Sequence, residues 1–435
     1  MPHIRFLGGC REVGRSGVLI ESNNGAQCIL DYGIRFKGEE RLPLDGDFNN
    51  LKAIALSHCH VDHSGALPLL FKNKDIPLFT NPLTLRMSEI LIKDTIKISN
   101  YPYPFGYREL QKTIKNASFL NNEVRQKIDD NFYITFYDAG HIPGSVSILV
   151  EVDNKRILYT GDINTQETNL VSPAEPSKLP EIDVLITEST YSLREHPIRA
   201  DLEKRFTDDT LNIIENGGKV LIPAFGVARS QEILLVLQKY NFKSEIFLDG
   251  LARKVSIEYA QFPNSFRKFA EYKSAFKKAQ LITSREKRKN VKKRSDGLII
   301  SPSGMLKGGA ALEYIGSILN DPSSAVFLVG YQVEGTPGRK LIDERIFEFK
   351  ERNSRNYRTR DIFIKAKCNV DYYDFSSHAD KFHLHRYVED LKFQNDSKLI
   401  FCMHGDAKST TSFAYDLSDK GFNSVAPEIG ETYKI

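Results

Sequence analysis

The chain reads as short apolar runs of four to six residues, each closed by Gly, Ser, Asp or His. Lys52-Ala53-Ile54-Ala55-Leu56-Ser57, Phe132 to Tyr137, Arg156 to Thr160 and Asp183 to Thr187 are rich in aliphatic or aromatic side chains. Bounded by turn residues, they predict buried strands. Val18 to Glu21 and Cys28 to Asp31 predict a hairpin joined through Asn23-Asn24-Gly25. After about residue 193 the rhythm becomes strand, Gly loop, helix. Lys219 to Pro223 leads into Arg229 to Leu237, Gly297 to Ser301 into Ala310 to Leu319, and Ser324 to Val329 into the segment from Arg339. Such units predict a parallel sheet with helices packed on it. From 368 the first style returns, in Val370 to Phe375 and Lys398 to Met403. The reading is an α/β protein in which a domain of 1–192 plus 368–435 is interrupted by an inserted domain of 193–367.

Length agrees, since 435 residues exceed what one hydrophobic core usually supports. With 41% hydrophobic and 27% charged residues the composition is that of a globular protein. No apolar run approaches the roughly 18 residues of a membrane span, and no secretory leader is expected from the start of the chain. Five cysteines without a CxxC pair argue against a disulfide framework and fit a reducing cytoplasm. The net charge of +4 is silent about nucleic acid, but its distribution is not. Residues 251–294 hold 14 Lys/Arg against 3 Asp/Glu, a local +11 with −7 elsewhere. Arg352, Arg355, Arg358 and Arg360, with Tyr357 among them, form a second basic cluster. Contacts of this kind to a phosphate backbone weaken steeply with salt.

The chemistry concentrates in His58-Cys59-His60-Val61-Asp62-His63, directly after a predicted strand. Residues at i and i+2 of extended chain share a side, so His58 and His60 can hold one metal while Asp62 and His63, opening a helix, face another. Imidazoles with some carboxylate suit zinc. Cys59, pointing away from its neighbours, is read as a small buried residue. His141, Asp162 and His404 each lie just past the end of an apolar run, where the loops of one sheet edge converge. Together these residues suffice for three ligands to each of two metals with one carboxylate to bridge. His3, His196, His383 and His385 join no such pattern.

The HxHxDH run, His141 and the pair Gly161-Asp162 resemble the metallo-β-lactamase superfamily. Glu188 in Thr187-Glu188-Ser189-Thr190-Tyr191, His378 in Phe375-Ser376-Ser377-His378-Ala379-Asp380, and His404 in Met403-His404-Gly405-Asp406 narrow the resemblance to its nucleic-acid-processing β-CASP branch. The opening Leu7-Gly8-Gly9-Cys10-Arg11-Glu12-Val13-Gly14-Arg15-Ser16 and the stretch Ser303-Gly304-Met305-Leu306-Lys307-Gly308-Gly309 are similar to prokaryotic relatives of the cleavage and polyadenylation factor endonuclease subunit. The resemblance covers essentially the whole chain. It implies an αββα sandwich carrying an inserted Rossmann-like β-CASP domain. It further implies two Zn2+, one on His58, His60 and His141 and the other on Asp62, His63 and His404, bridged by Asp162. Asp31 would orient a ligand histidine and fix its tautomer.

Two zinc ions sharing a water lower its pKa toward neutrality, so that hydroxide can attack phosphorus while the metals neutralise developing charge. His378 is the candidate proton donor to the departing oxygen, with Glu188 orienting it and favouring its charged form. The Gly-rich turn with Ser303, Gly304 and Lys307 precedes a helix and could receive a phosphate, as could Arg229 at another helix start. Ser376 and Ser377 are further candidate contacts. The expected function is a zinc-dependent ribonuclease acting on single-stranded RNA, as endonuclease, 5′–3′ exonuclease or both. Two alternatives stand beside it: a metallo-hydrolase of a small ester or thioester, and a non-catalytic RNA-binding scaffold. A homodimer is compatible with the sequence, and no membrane partner is expected.

Overall fold

The computed structural model describes residues 1–36, 38–99, 101–352, 359–394 and 398–435. The chain divides into two compact units, Met1–Glu195 with Ser377–Ile435, and His196–Ser376. Arg355, Tyr357 and Arg358 of the second basic cluster lie outside the described residues, and the side chains of Arg352 and Arg360 do too.

Among the described residues, the first unit holds two seven-stranded sheets. In one, the expected hairpin forms between Gly17–Glu21 and Gln27–Leu30. Its turn closes by Gly25 N–H donating to Ser22, with Gly25 at φ +79°, a backbone conformation that glycine adopts freely. Leu51–Ala55 and Leu78–Thr80 extend this sheet in parallel. In the other, Lys155–Tyr159, Val184–Glu188 and Leu399–Met403 run parallel side by side. Val146–Val152 lies antiparallel between Lys155–Tyr159 and Phe132–Asp138.

Alternation along these strands builds the layers. Phe6, Val18, Ile20 and Leu30 pack with Phe132, Ile134, Ile148 and Phe401 in the core between the sheets. The opposite parity, Leu19, Ile29 and Ile54, packs with Leu67 and Leu70 of the helix Leu67–Leu70. On the far side, Leu158, Leu185 and Ile400 pack with Leu384 and Val388 of the helix Lys381–Asp390 and with Phe413 of the helix Ala407–Asp419. The unit is an α/β/β/α sandwich. After His60 the expected helix forms as two single turns, Val61–Ser64 and Leu67–Leu70. Pro68 has no N–H to continue the first turn's ladder.

The second unit carries a six-stranded parallel sheet, among the described residues, with Gly297–Ser301 between Ile246–Leu248 and Lys219–Pro223. Leu221, Ile299 and Val326 face the helix Leu312–Leu319 through Ile315 and Ile318. Phe327 points the other way and meets Phe206 of the helix Arg199–Glu215. Helices therefore cover both faces, a doubly wound α/β arrangement. The apolar pattern returns the chain to the first domain at 368, but Asn369–Tyr372 pairs in parallel with Ala325–Leu328, and the first unit resumes at Ser377. A strand at a sheet edge carries no pattern that says which sheet it joins. No helix among the described residues is long and apolar enough to cross a membrane.

Candidate metal centre

The first unit collects its chemistry at the carboxyl ends of its strands. Asp31 follows Gln27–Leu30, His58 follows Leu51–Ala55, His141 follows Phe132–Asp138, Asp162 follows Lys155–Tyr159, Glu188 ends Val184–Glu188 and His404 follows Leu399–Met403. Several of these turns are tight. Asp31 (φ +55°), Gly161 (φ +57°) and His404 (φ +50°) are left-handed. A non-glycine residue held there signals a constrained position. His404 is fixed by its own N–H donating to the Gly9 carbonyl at 2.6 Å and by its carbonyl accepting from the Thr190 hydroxyl at 2.9 Å.

Two groups of metal-ligand atoms result. His58, His60, His141 and Asp162 bring donor atoms within 4.8 Å of one another, and so do Asp62, His63 and His404. Asp162 stands between them with one oxygen for each. Its Oδ2 lies 3.4 Å from Nε2 of His58 and 3.6 Å from Nε2 of His141. Its Oδ1 lies 3.2 Å from Nε2 of His63 and 3.3 Å from Nδ1 of His404. Within the groups, Nε2 of His141 is 3.2 Å from Nδ1 of His60, and Nε2 of His63 is 3.1 Å from Nε2 of His404.

Apposed nitrogens and carboxylate oxygens at these distances are what cations hold together. Two of the clustered atoms, Nε2 of His58 and Oδ1 of Asp162, are buried without a hydrogen-bond partner among the described residues. Such atoms are costly unless something satisfies them. A nitrogen-rich donor set with a shared carboxylate fits transition-metal dications, zinc among them.

Partners outside the donor set orient it. Asp31 is fully buried and accepts four donors: Ser57 N–H at 2.7 Å, the Ser57 hydroxyl at 2.6 Å, the Tyr159 hydroxyl at 2.8 Å and Nδ1 of His63 at 2.7 Å. The last contact leaves Nε2 of His63 for the second group. Likewise Nδ1 of His141 donates to the Ser377 carbonyl at 2.8 Å. The electrostatics divide accordingly. Burial and the neighbouring His63 charge lower His58, and burial with the charge of His58 lowers His60 to about 3. Burial and His378 lower His141 well below its ordinary value. Burial alone would lower His63 also, yet Asp162 and Asp31 outweigh it and hold that imidazole well above the usual range.

His378 and Glu188 adjoin the first group. Nδ1 of His378 is 3.0 Å from both Glu188 oxygens, while its Nε2 lies 3.9 Å from Oδ2 of Asp162. Glu188 is also fixed by the N–H of Ile163, donated at 2.7 Å. Burial would lower His378, but Glu188 and Asp162 raise it to about 9. Donor atoms of Glu188, Asp162 and His404 also fall within 4.8 Å of one another.

A family model described as "Metallo-beta-lactamase superfamily" matches residues 18–207, "Beta-Casp domain" matches 230–341, and "Zn-dependent metallo-hydrolase RNA specificity domain" matches 364–427. The chain is 34% identical to "RNase aCSPSF2" of Saccharolobus solfataricus over 99% of its length and 85% of that protein's. It is 34% identical to "Probable RNase MJ4" of Methanocaldococcus jannaschii over 99% of this chain and all of the relative. The chain belongs to the β-CASP branch of the metallo-β-lactamase superfamily. A "Transcription termination factor FttA" of Pyrococcus horikoshii, 31% identical, is matched over 99% of this chain and 71% of the relative. A solved structure titled as a protein of unknown function from Enterococcus faecalis shares the fold at TM-score 0.60 and 14% identity, each chain covered to 99%.

This β-CASP protein uses supporting residues that sequence reading passed over. Ser57 and Tyr159 hold Asp31, and Thr190 lies 3.2 Å from Nδ1 of His404. Ser57 and Thr190 each sit within two residues of a singled-out side chain, which is the one signal that marks them. Cys59 is buried, as are the other four cysteines. His196 pairs with Asp374 at 2.9 Å and His383 with Asp380 at 2.6 Å. In the second unit the turn at 303–309 folds on itself, Lys307 N–H donating to the Ser303 hydroxyl at 3.1 Å while the Lys307 side chain is exposed and Gly304 buried. Arg229 is only 9% exposed; the hydrogen bond and charge of His196, with the charge of Arg229, hold the half-buried Asp374 carboxyl low against the effect of burial. Ser376, in the second unit, and Ser377, in the first, are half-buried.

Proposed function

We propose that the chain is a di-zinc ribonuclease that hydrolyses RNA phosphodiester bonds. The observation that carries the reading is Asp162, whose two oxygens face two different donor groups at 3.2–3.6 Å. Relatives named as RNases and a matching family model described by RNA specificity support RNA as the substrate.

His58, His60 and His141 would hold one ion and Asp62, His63 and His404 the other, with Asp162 between them. Bound there, the pair supplies water activation near neutral pH and charge neutralisation at the phosphodiester. The protein's own residues do the rest. Asp31 and the Ser377 carbonyl each take an Nδ1–H, so His63 and His141 present Nε2 lone pairs in one orientation. Glu188 takes the Nδ1–H of His378, which leaves its Nε2–H to protonate the departing oxygen. In the metal-free protein Glu188 and Asp162 keep that imidazole charged up to about pH 9.

The test is cleavage of end-labelled RNA by purified wild type, Asp162→Ala and His378→Ala, with metal content measured on each protein. Wild type should cut and carry two zinc ions per chain, while both variants should lose most activity. Undiminished RNA cleavage by either variant, or hydrolysis of a thioester in place of RNA, sinks the reading.

A further inference from the structure

The 251–294 segment folds into three helices of the second unit, Gly250–Tyr259, Phe269–Lys278 and Arg285–Lys293. The last is the most basic element of the chain, with the sequence Arg285-Glu286-Lys287-Arg288-Lys289-Asn290-Val291-Lys292-Lys293. Its cations serve two different ends.

Arg288 turns inward. Its Nε and Nη2 donate to Oδ2 and Oδ1 of Asp249 at 2.7 and 3.0 Å, and the buried Tyr314 hydroxyl donates to the same Asp249 at 2.7 Å. A two-pronged guanidinium–carboxylate contact fixes orientation as well as position. Val291, one turn on, is buried in the hydrophobic cluster beneath. Ser284 caps the helix by accepting from Lys287 N–H. One face is thereby pinned to the unit's core.

The other face is exposed and unanswered. Arg285, Lys289 and Lys293 are exposed on it, and no carboxylate pairs with any of them among the described residues; Lys287, two residues after Arg285, is exposed on the opposite flank. On other helices several surface cations are paired at helical spacing: Lys93 with Glu89, Lys204 with Asp208, Arg339 with Asp343. Arg285, Lys289 and Lys293 follow one another at i, i+4 and i+8, a like-charge stripe that weakens an isolated helix. Arg285 and Lys287 also stand in the first turn, where the helix dipole disfavours cations. A helix that breaks these local rules while being firmly anchored is organised for something that brings negative charge.

We propose that the exposed face of Arg285–Lys293 is a docking rail for the sugar–phosphate backbone of single-stranded RNA. The proposal rests on the ribonuclease reading for its occupant. Side chains four residues apart on a helix stand about 6 Å apart along its axis, a step on the scale of consecutive phosphates in one strand. Contacts of this kind carry no sequence information; they add affinity and hold the strand in register.

The test is a variant with Arg285, Lys289 and Lys293 all changed to Gln, a residue of comparable helix propensity. Binding of a labelled 30-nucleotide RNA is followed by anisotropy across a salt series, and hydrolysis of bis(p-nitrophenyl) phosphate is measured in parallel. RNA affinity should fall about tenfold or more, and the slope of log affinity against log salt should lessen by roughly 2, near 0.7 per phosphate contact. Hydrolysis of the small diester should be unchanged, which shows that the fold survives. A charge-preserving variant, R285K with K289R and K293R, should bind as wild type does. An unchanged salt slope in the Gln variant overturns the rail. Failure of the wild type to cut RNA would instead strike the ribonuclease reading, and the binding series would still decide the rail.

Discussion

Both carboxylate oxygens of Glu188 lie 3.0 Å from Nδ1 of His378, so one buried charge dictates which imidazole nitrogen faces outward. Glu188 is 1% exposed and held by the Ile163 amide, which leaves it little freedom to turn away. The pair is built to keep a proton on Nε2.

That relationship sets a pH limb. A raised value means the imidazole stays charged until pH climbs to about 9, and a proton donor fails as pH rises through it. Nearby metal cations oppose the same charge, so in the loaded enzyme the limb falls at or below that value. Glu188→Gln removes the charge that raises His378 and should move the basic limb of kcat/KM toward acid by about a pH unit or more. His378→Ala should erase the limb and cost roughly 10²- to 10⁴-fold in rate. A pH profile identical in Glu188→Gln and wild type would rule out this coupling.

The two donor groups should release their metals at different acidities. His63 is held well above its ordinary value, so in the metal-free protein it keeps a proton that a cation must expel. Affinity of the Asp62–His63–His404 group then falls as pH drops through neutrality. His58, His60 and His141 are lowered, His60 to about 3, so protons compete with metal there at lower pH than at His63. Stepwise dialysis from roughly pH 8 to pH 5 should remove one metal per chain well before the other. Simultaneous loss of both would contradict the division.

Asp31 makes a separate prediction, since its four donors include the Nδ1 of His63. Asp31→Asn keeps the shape but puts an N–H group where a donor already points. Metal affinity of the second group should fall about 10- to 100-fold, read by competition with a chromophoric chelator, while the first group, which Asp31 reaches only through Ser57 beside His58, should lose less. Equal affinities in variant and wild type would mean Asp31 only braces the fold.

How far the sequence speaks is visible in these residues. The HxHxDH run was legible because ligands crowded into six positions have few other uses, and the strand-end placement of His141, Asp162 and His404 follows from apolar runs that stop where polar loops begin. Support at longer range is not legible in that way. Tyr159 reads as one more aromatic in a buried strand, yet its hydroxyl reaches Asp31 across 128 positions of chain. Arg288 is indistinguishable from its neighbours in a basic run until the sheet beneath it brings Asp249 within 2.7 Å. Periodicity reports which face a side chain takes, and only the assembled layers report what waits there.

Gly33 is the clearest residue of that second kind, and it makes the last prediction. In sequence it is an ordinary turn glycine after Asp31-Tyr32. A Cβ placed on it would stand 1.7 Å from the carbonyl oxygen of Asp62 and 2.6 Å from the backbone N of His63. Those atoms are backbone and cannot rotate aside, and they are pinned there: Tyr32 N–H donates to the His63 carbonyl at 2.8 Å and Ser16 N–H to the Asp62 carbonyl at 2.9 Å. Gly33→Ala must therefore push two ligands of the second group away from His404 while leaving His58, His60 and His141 on their own strand ends. Forced overpacking of this kind costs about 1–3 kcal/mol of stability. The expected protein is folded, melts a few degrees lower, and carries close to one metal per chain with RNA cleavage largely lost. Two metals per chain in folded Gly33→Ala would show that the ligand run tolerates the shift, and that the close approach of Gly33 is packing alone.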